Sequence, residues 1–138
     1  MKTTADTSVL VAAFASWHEH HAVAFSAMGR VDAIVAHCLL EAYSVLTRLP
    51  APHRMTPVVV SKYLALSFGG HVAFALSASK HRGLIARCAS EGLIGGAVYD
   101  AVIAATCADA GLRLLTLDAR ARPTYAVLGV NHELLVAA

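Results

Sequence analysis

The chain has 138 residues, 57% hydrophobic and only 14% charged, and 11 Lys and Arg stand against 9 Asp and Glu for a net charge of +2. That length suits a single domain, 1–138, and the composition excludes intrinsic disorder and fibrous repeats. The longest stretch free of Asp, Glu, Lys and Arg runs from Tyr63 to Ser79; it contains Gly69, Gly70, His71 and three serines, so no membrane span is expected.

Taken in chain order, Lys2 to Ala5 is a short strand that ends at Asp6, and Thr7-Ser8 is a hydroxyl-rich turn leading into a helix, Val9 to Ala15. Asp6 also falls inside what would be the apolar region of a leader peptide, so a cytoplasmic protein is expected. His18 to Met28 reads as a second helix closed by Gly29, Val31 to Ala36 as a strand, and Leu39 to Leu49 as a helix that must stop by Pro50. Pro57 opens a helix reaching Phe68, and Gly69-Gly70 breaks the chain. A strand, His71 to Leu76, and a helix, Ser77 to Ser90, follow, with Ser77 or Ser79 as cap. Ala97 to Ala110 is a helix ended by Gly111, Arg113 to Leu117 is a buried strand, and a last short strand lies around Glu133 to Val136.

Strands alternating with helices of this length predict an α/β fold, with a parallel sheet of about four or five short strands flanked by helices on both faces. Ligands of such sheets bind at the carboxyl ends of the strands, which directs attention to Asp6 and Asp118. Asp100 and Asp109 lie on opposite sides of one helix. Asp109 reads as solvated near Arg113, which leaves Asp100 on the inner face beside Ile103, Ala104 and Cys107. Glu41 is equally surrounded by Cys38, Leu39, Leu40 and Ala42. Glu19, Asp32, Glu91 and Glu133 read as surface acids. Asp6, Glu41, Asp100 and Asp118 are therefore either ligands of a hard cation such as Mg²⁺ or Mn²⁺, or acids that are individually paired or capping.

These segments carry a resemblance. Asp6-Thr7-Ser8-Val9-Leu10-Val11-Ala12 and Leu40-Glu41-Ala42-Tyr43-Ser44-Val45-Leu46-Thr47-Arg48 resemble the first motif and the glutamate helix of PIN-domain ribonucleases, more narrowly the VapC-type toxins of toxin-antitoxin pairs. Tyr99 to Cys107, running on through Gly111 to Asp118, resembles the last two motifs in order and spacing. The resemblance implies a PIN-like three-layer fold and Mg²⁺- or Mn²⁺-dependent RNA endonuclease activity, with Asp6, Glu41, Asp100 and Asp118 as the acidic quartet and Ser8 and Thr116 as supporting hydroxyls. A metal-activated water would attack the phosphodiester, with no protein nucleophile. The further acid or Asn that many relatives carry beyond the fourth acid is replaced here by Ala119, Arg120 and Ala121, and Arg120 and Arg122 either hold RNA phosphate near the pocket or form a solvated basic turn. A homodimer and a cognate antitoxin are implied as partners, with the helices Val9 to Ala15 and Leu39 to Leu49 as walls of the groove the antitoxin fills. The competing function is a catalytically silent PIN-like module that binds RNA or protein.

The remaining features read plainly. Cys38, Cys88 and Cys107 have no CxxC spacing and are expected as small buried apolar residues. His18, His20 and His21 form a solvated helix start rather than a zinc site, and Trp17 and Tyr43 are core or interface aromatics.

Overall fold

A computed structural model describes residues 1–136. Five short strands are found among them, β1 (Lys2–Ala5), β2 (Ala33–Val35), β3 (Val72–Phe74), β4 (Leu112–Thr116) and β5 (His132–Leu134). The helices are α1 (Thr7–Phe14), α2 (His21–Ala27), α3 (Ala36–Arg48), α4 (Pro57–Phe68), α5 (Ala78–Glu91), α6 (Ala97–Ala110) and α7 (Arg122–Val127). Every strand pairing is parallel: β1 with β4, β4 with β5, and β2 with β3. The β2–β3 pair adjoins the three-stranded sheet at β1, where the Asp32 N–H donates to the Thr3 carbonyl at 2.8 Å and the Thr3 N–H donates to the Asp32 carboxylate at 3.0 Å. Parallel neighbours need crossovers, and the helices between them supply these and cover the sheet.

Local chemistry accounts for most boundaries. Thr56 caps α4 ahead of Pro57. Ser77 caps α5, its hydroxyl accepting from the Lys80 N–H at 3.2 Å. Gly111 closes α6 with φ +68°, where a side chain would be strained. Three expectations need correction. The capping group at α1 is Asp6 itself, which accepts from the Val9 N–H, so the helix takes in Thr7 and Ser8. α2 starts only at His21, because Ala15 to His20 form a tight turn, and α3 starts at Ala36, directly out of β2. A helix absent from the sequence reading, α7, follows Asp118 with Pro123 in its first turn.

The core is built from α1, β1, β2, β4 and the inner faces of α3 and α6, with Leu10, Ile34, Leu46, Ile103, Leu114 and Leu115 almost wholly enclosed. Ala101 of α6 belongs to a smaller cluster with Leu84 and Cys88 of α5 and Leu76. All three cysteines are buried and free. From Val9 onward α1 is apolar on every side because it lies within the core, and only Ala13 of it reaches an open apolar groove. That groove, about 560 Å³, runs between α2 and α4 and is lined by Phe25, Met28, Tyr63 and Phe68; its walls are not the helices α1 and α3 expected from the sequence. No helix among the described residues is long and apolar enough to cross a membrane.

Candidate active site

The parallel register sets Ala5 beside Leu115, so β1 and β4 end at the same level and release Asp6 and Asp118 on one side of the sheet. The first turn of α6 brings Asp100, and the second turn of α3 brings Glu41. The four acids line one cleft of about 420 Å³, together with Thr7, Ser8, Arg48, Arg120 and Tyr125.

Asp6 is the most buried of them. Its N–H continues the strand ladder to the Leu115 carbonyl at 3.0 Å, while its carboxylate turns into the cleft. One oxygen accepts from the Ser8 hydroxyl and the Val9 N–H, and the other from the Tyr125 hydroxyl at 2.7 Å. Burial outweighs these donors and raises its pKa above the usual carboxylate range. Glu41 is half-buried; Thr7 donates to its Oε1, and Nε2 of His37, one turn earlier, stands 3.6 Å from Oε2. The imidazole and the Thr7 hydroxyl hold its carboxyl below the ordinary value, against the opposing effect of burial. The His37 ring lies nearly parallel to Tyr99, with centroids 5.7 Å apart.

Asp118 caps the 3-10 turn Ala119–Ala121 through the Arg120 N–H at 3.0 Å, and its own N–H donates to the Thr116 hydroxyl at 3.0 Å. The Ser8 hydroxyl also accepts from the Leu117 N–H at 3.0 Å, so Ser8 and Thr116 tie the two strand ends to their acids. Arg120 stands 3.5 Å from Asp118 with its side chain 94% exposed. Arg122 is elsewhere: its Nε is 3.5 Å from Nε2 of His132, and it does not line the cleft.

Asp100 receives no hydrogen bond from the described residues. Burial and then repulsion from Asp118, Asp6 and Glu41 push its pKa up to about 6, with only Arg120 opposing. A carboxylate in the first turn of a helix is normally favoured by the helix dipole, by roughly 0.3–1 kcal/mol, so the neighbouring negative charges and burial prevail here. On the far side of α6, Asp109 pairs with Lys80 rather than with Arg113. Glu133 bridges Arg30 and Arg113, which holds it down at about 2.

The donor set suits a hard cation, because it offers carboxylate and hydroxyl oxygens and an unrelieved negative charge. Among the described residues, no three acids, histidines or cysteines stand around one point at ligand spacing, and hydroxyls occupy oxygens of Asp6 and Glu41. The sequence reading missed Tyr125, Thr7 and His37. Thr7 and His37 had legible signals, the first adjoining Asp6 and the second at i−4 from Glu41; Tyr125 is 119 residues from its partner and had none.

Comparison with known proteins gives the family. A family model, "PIN domain", matches residues 4–126. The chain belongs to the PIN-domain family. This PIN domain is 49% identical over 131 residues to ribonuclease VapC40 of Mycobacterium tuberculosis, covering 94% of the chain and 96% of that relative. It is 36% identical over 127 residues to ribonuclease VapC27 of the same species, covering 91% of each. Its fold is similar to that in the crystal structure of DNA-bound VapBC from Salmonella typhimurium, with a TM-score of 0.67, 22% identity and 99% of both chains covered. It is also similar to PAE2754 from Pyrobaculum aerophilum, with a TM-score of 0.62, 20% identity and 96% and 90% covered.

Proposed function

We propose that this PIN domain is a Mg²⁺- or Mn²⁺-dependent RNA endonuclease that serves as the toxin of a toxin-antitoxin pair. The ribonuclease names of the VapC relatives at 49% and 36% identity support the activity. The observation that carries the metal dependence is Asp100, a carboxylate whose pKa is raised by burial and by three acidic neighbours, and which accepts no hydrogen bond from the described residues. Asp6, Asp100, Asp118 and Glu41 would hold the ion. When bound there, the ion supplies a water acidified to a nucleophile and a counter-charge for the phosphoryl oxygens.

The chain's own residues prepare the cleft. Tyr125 and Ser8 fix the rotamer of Asp6, and Thr7 fixes that of Glu41, whose other oxygen faces Nε2 of His37 at 3.6 Å. Thr116 anchors the Asp118 loop, and Arg120, largely in solvent, is placed to take a phosphate of the incoming strand. No side chain acts as nucleophile: Ser8 is committed to Asp6 and Leu117, and burial raises the thiols of Cys38 and Cys107, the latter to about 12. We further propose a cytoplasmic homodimer of the single domain 1–138, with an antitoxin segment in the apolar groove of Phe25, Met28, Tyr63 and Phe68 and a basic side chain extended to the acids.

One observation favours a silent binding module instead, namely that hydroxyls already occupy oxygens of Asp6 and Glu41. Asp100→Asn, which keeps shape and removes charge, separates the readings. Loss of Mn²⁺-dependent cleavage of single-stranded RNA supports the nuclease. Unchanged cleavage, or none in the parent, supports the module.

A further inference from the structure

We infer that a second cavity beside the acidic cleft seats a nucleobase next to the scissile phosphate, and that His18, Glu19 and His20 read its edge; the inference rests on the RNA-cleaving reading above. The cavity is about 380 Å³, within the range of sites that hold small ligands. It shares Thr7, Ser8, Val45, Asp118 and Arg120 with the cleft of the four acids. A strand with its phosphate at the acids therefore brings a neighbouring nucleoside to this opening. Its lining combines apolar surface from Val11, Val45 and Leu117 with the polar groups of His18, Glu19 and His20. A splayed base uses that combination, apolar or ring surface for its faces and donors and acceptors for its edge.

The turn that carries the polar groups is tied down before any ligand arrives. The His18 N–H donates to the Ala15 carbonyl at 2.9 Å, the His21 N–H to the His18 carbonyl at 3.0 Å, and Nδ1 of His21 lies 2.8 Å from the Ala12 carbonyl oxygen. The His20 N–H donates to Nδ1 of His18 at 3.0 Å. A backbone N–H only donates, so Nδ1 of His18 carries no proton and Nε2–H is the donor that this ring presents. Partial burial lowers the His18 pKa and favours the same neutral form. Glu19, its side chain 82% exposed and its Oε1 3.5 Å from Nε2 of His20, keeps its other oxygen as an acceptor for an exocyclic amino group and repels phosphate, which suits a base rather than the backbone. Arg120, at the junction of the two cavities, is left for the phosphate.

The test has two arms. Imidazole NMR of the full chain is followed during titration with each of the four ribonucleosides, which carry no phosphate and need no metal. The His18 and His20 ring signals are expected to shift, most tightly for one base, while His81 on α5 stays in place. In the second arm, single-stranded RNAs that differ only in the bases flanking the cut are cleaved by the parent, His18→Ala and Glu19→Gln. The parent's preference for one base is expected to fall about tenfold in the variants. A general loss of stability would slow all four substrates alike and leave the ratio intact. An unchanged ratio with silent imidazoles overturns the base seat even where RNA is cleaved. Imidazoles that respond in a protein that cuts no RNA uphold the seat and overturn the nuclease reading alone.

Discussion

Asp100 concentrates the electrostatics of the cleft in one titration. Its pKa of about 6 in the folded chain lies above its ordinary 3.8, so the stability linked to it is complete below that ordinary value and is lost as pH rises through about 6. The group is half-exposed and screened, and at neutral pH it costs the native state on the order of 1 kcal/mol. Asp100→Asn should therefore raise the melting temperature of the metal-free protein at pH 7.5 and leave it nearly unchanged at about pH 3, below the ordinary pKa, as calorimetry at the two pH values would read. A cation binds the deprotonated acid, so the melting shift produced by Mg²⁺ should grow between pH 5 and 7 in the parent. Tyr125 tests the opposite balance. Its hydroxyl donates to a buried carboxylate, and Tyr125→Phe should lower stability by about 2 kcal/mol, as urea unfolding would measure. The same change removes the group that orients a candidate ligand and should slow RNA cleavage about tenfold.

Element ends, more than element middles, decide where the acids stand. Asp6 belongs to the β1 ladder through its backbone and to α1 through its side chain, so a single residue makes the strand-to-helix corner and lines the cleft. At the other end of the site, the length of α6 sets Asp100 in its first turn, and Gly111 closes the helix and releases the chain into β4. Gly111→Ala leaves the added methyl in open space, so its cost is purely that of a side chain at φ +68°, about 1 kcal/mol. A fall in melting temperature of about 3–5 °C is expected, with no change in cleavage at temperatures well below it. Most elements were legible because caps and breakers are local: Ser77, Pro57 and Gly111 each do in the structure what their chemistry alone requires. α7 was not, because its six residues carry no periodic apolar pattern and it is held through Thr124 and Tyr125, which turn inward toward distant partners.

At the scale of the whole molecule, the high apolar content is only partly consumed by the core. Leu40, Leu66, Ile85 and Ile94 remain largely exposed on α3, α4, α5 and the turn before α6, and the apolar groove between α2 and α4 is open. Exposed apolar area on this scale favours association. Sedimentation equilibrium is expected to find a dimer, and a stable soluble monomer at micromolar concentration would count against the proposed assembly. Binding to the folded state alone must stabilise it, so Mg²⁺ at a hundredfold excess over its dissociation constant should add about 2.7 kcal/mol. The gain should disappear in Asp100→Asn, because the charge that attracts the ion is then reduced.

By itself, the sequence determined the alternation of strands and helices, the burial of the cysteines, and which four of nine acids stand out, Asp6 and Asp118 at strand ends and Glu41 and Asp100 among apolar neighbours, because periodicity, caps and flanking residues are local properties. Only the tertiary structure decided that those four acids share a cleft, that Tyr125 and Thr7 hold two of them, that Arg120 and not Arg122 stands over them, and that the open groove belongs to α2 and α4. The reason is distance along the chain. Parallel pairing of β1 with β4 joins segments more than a hundred residues apart, and local patterns carry no record of which segments will meet.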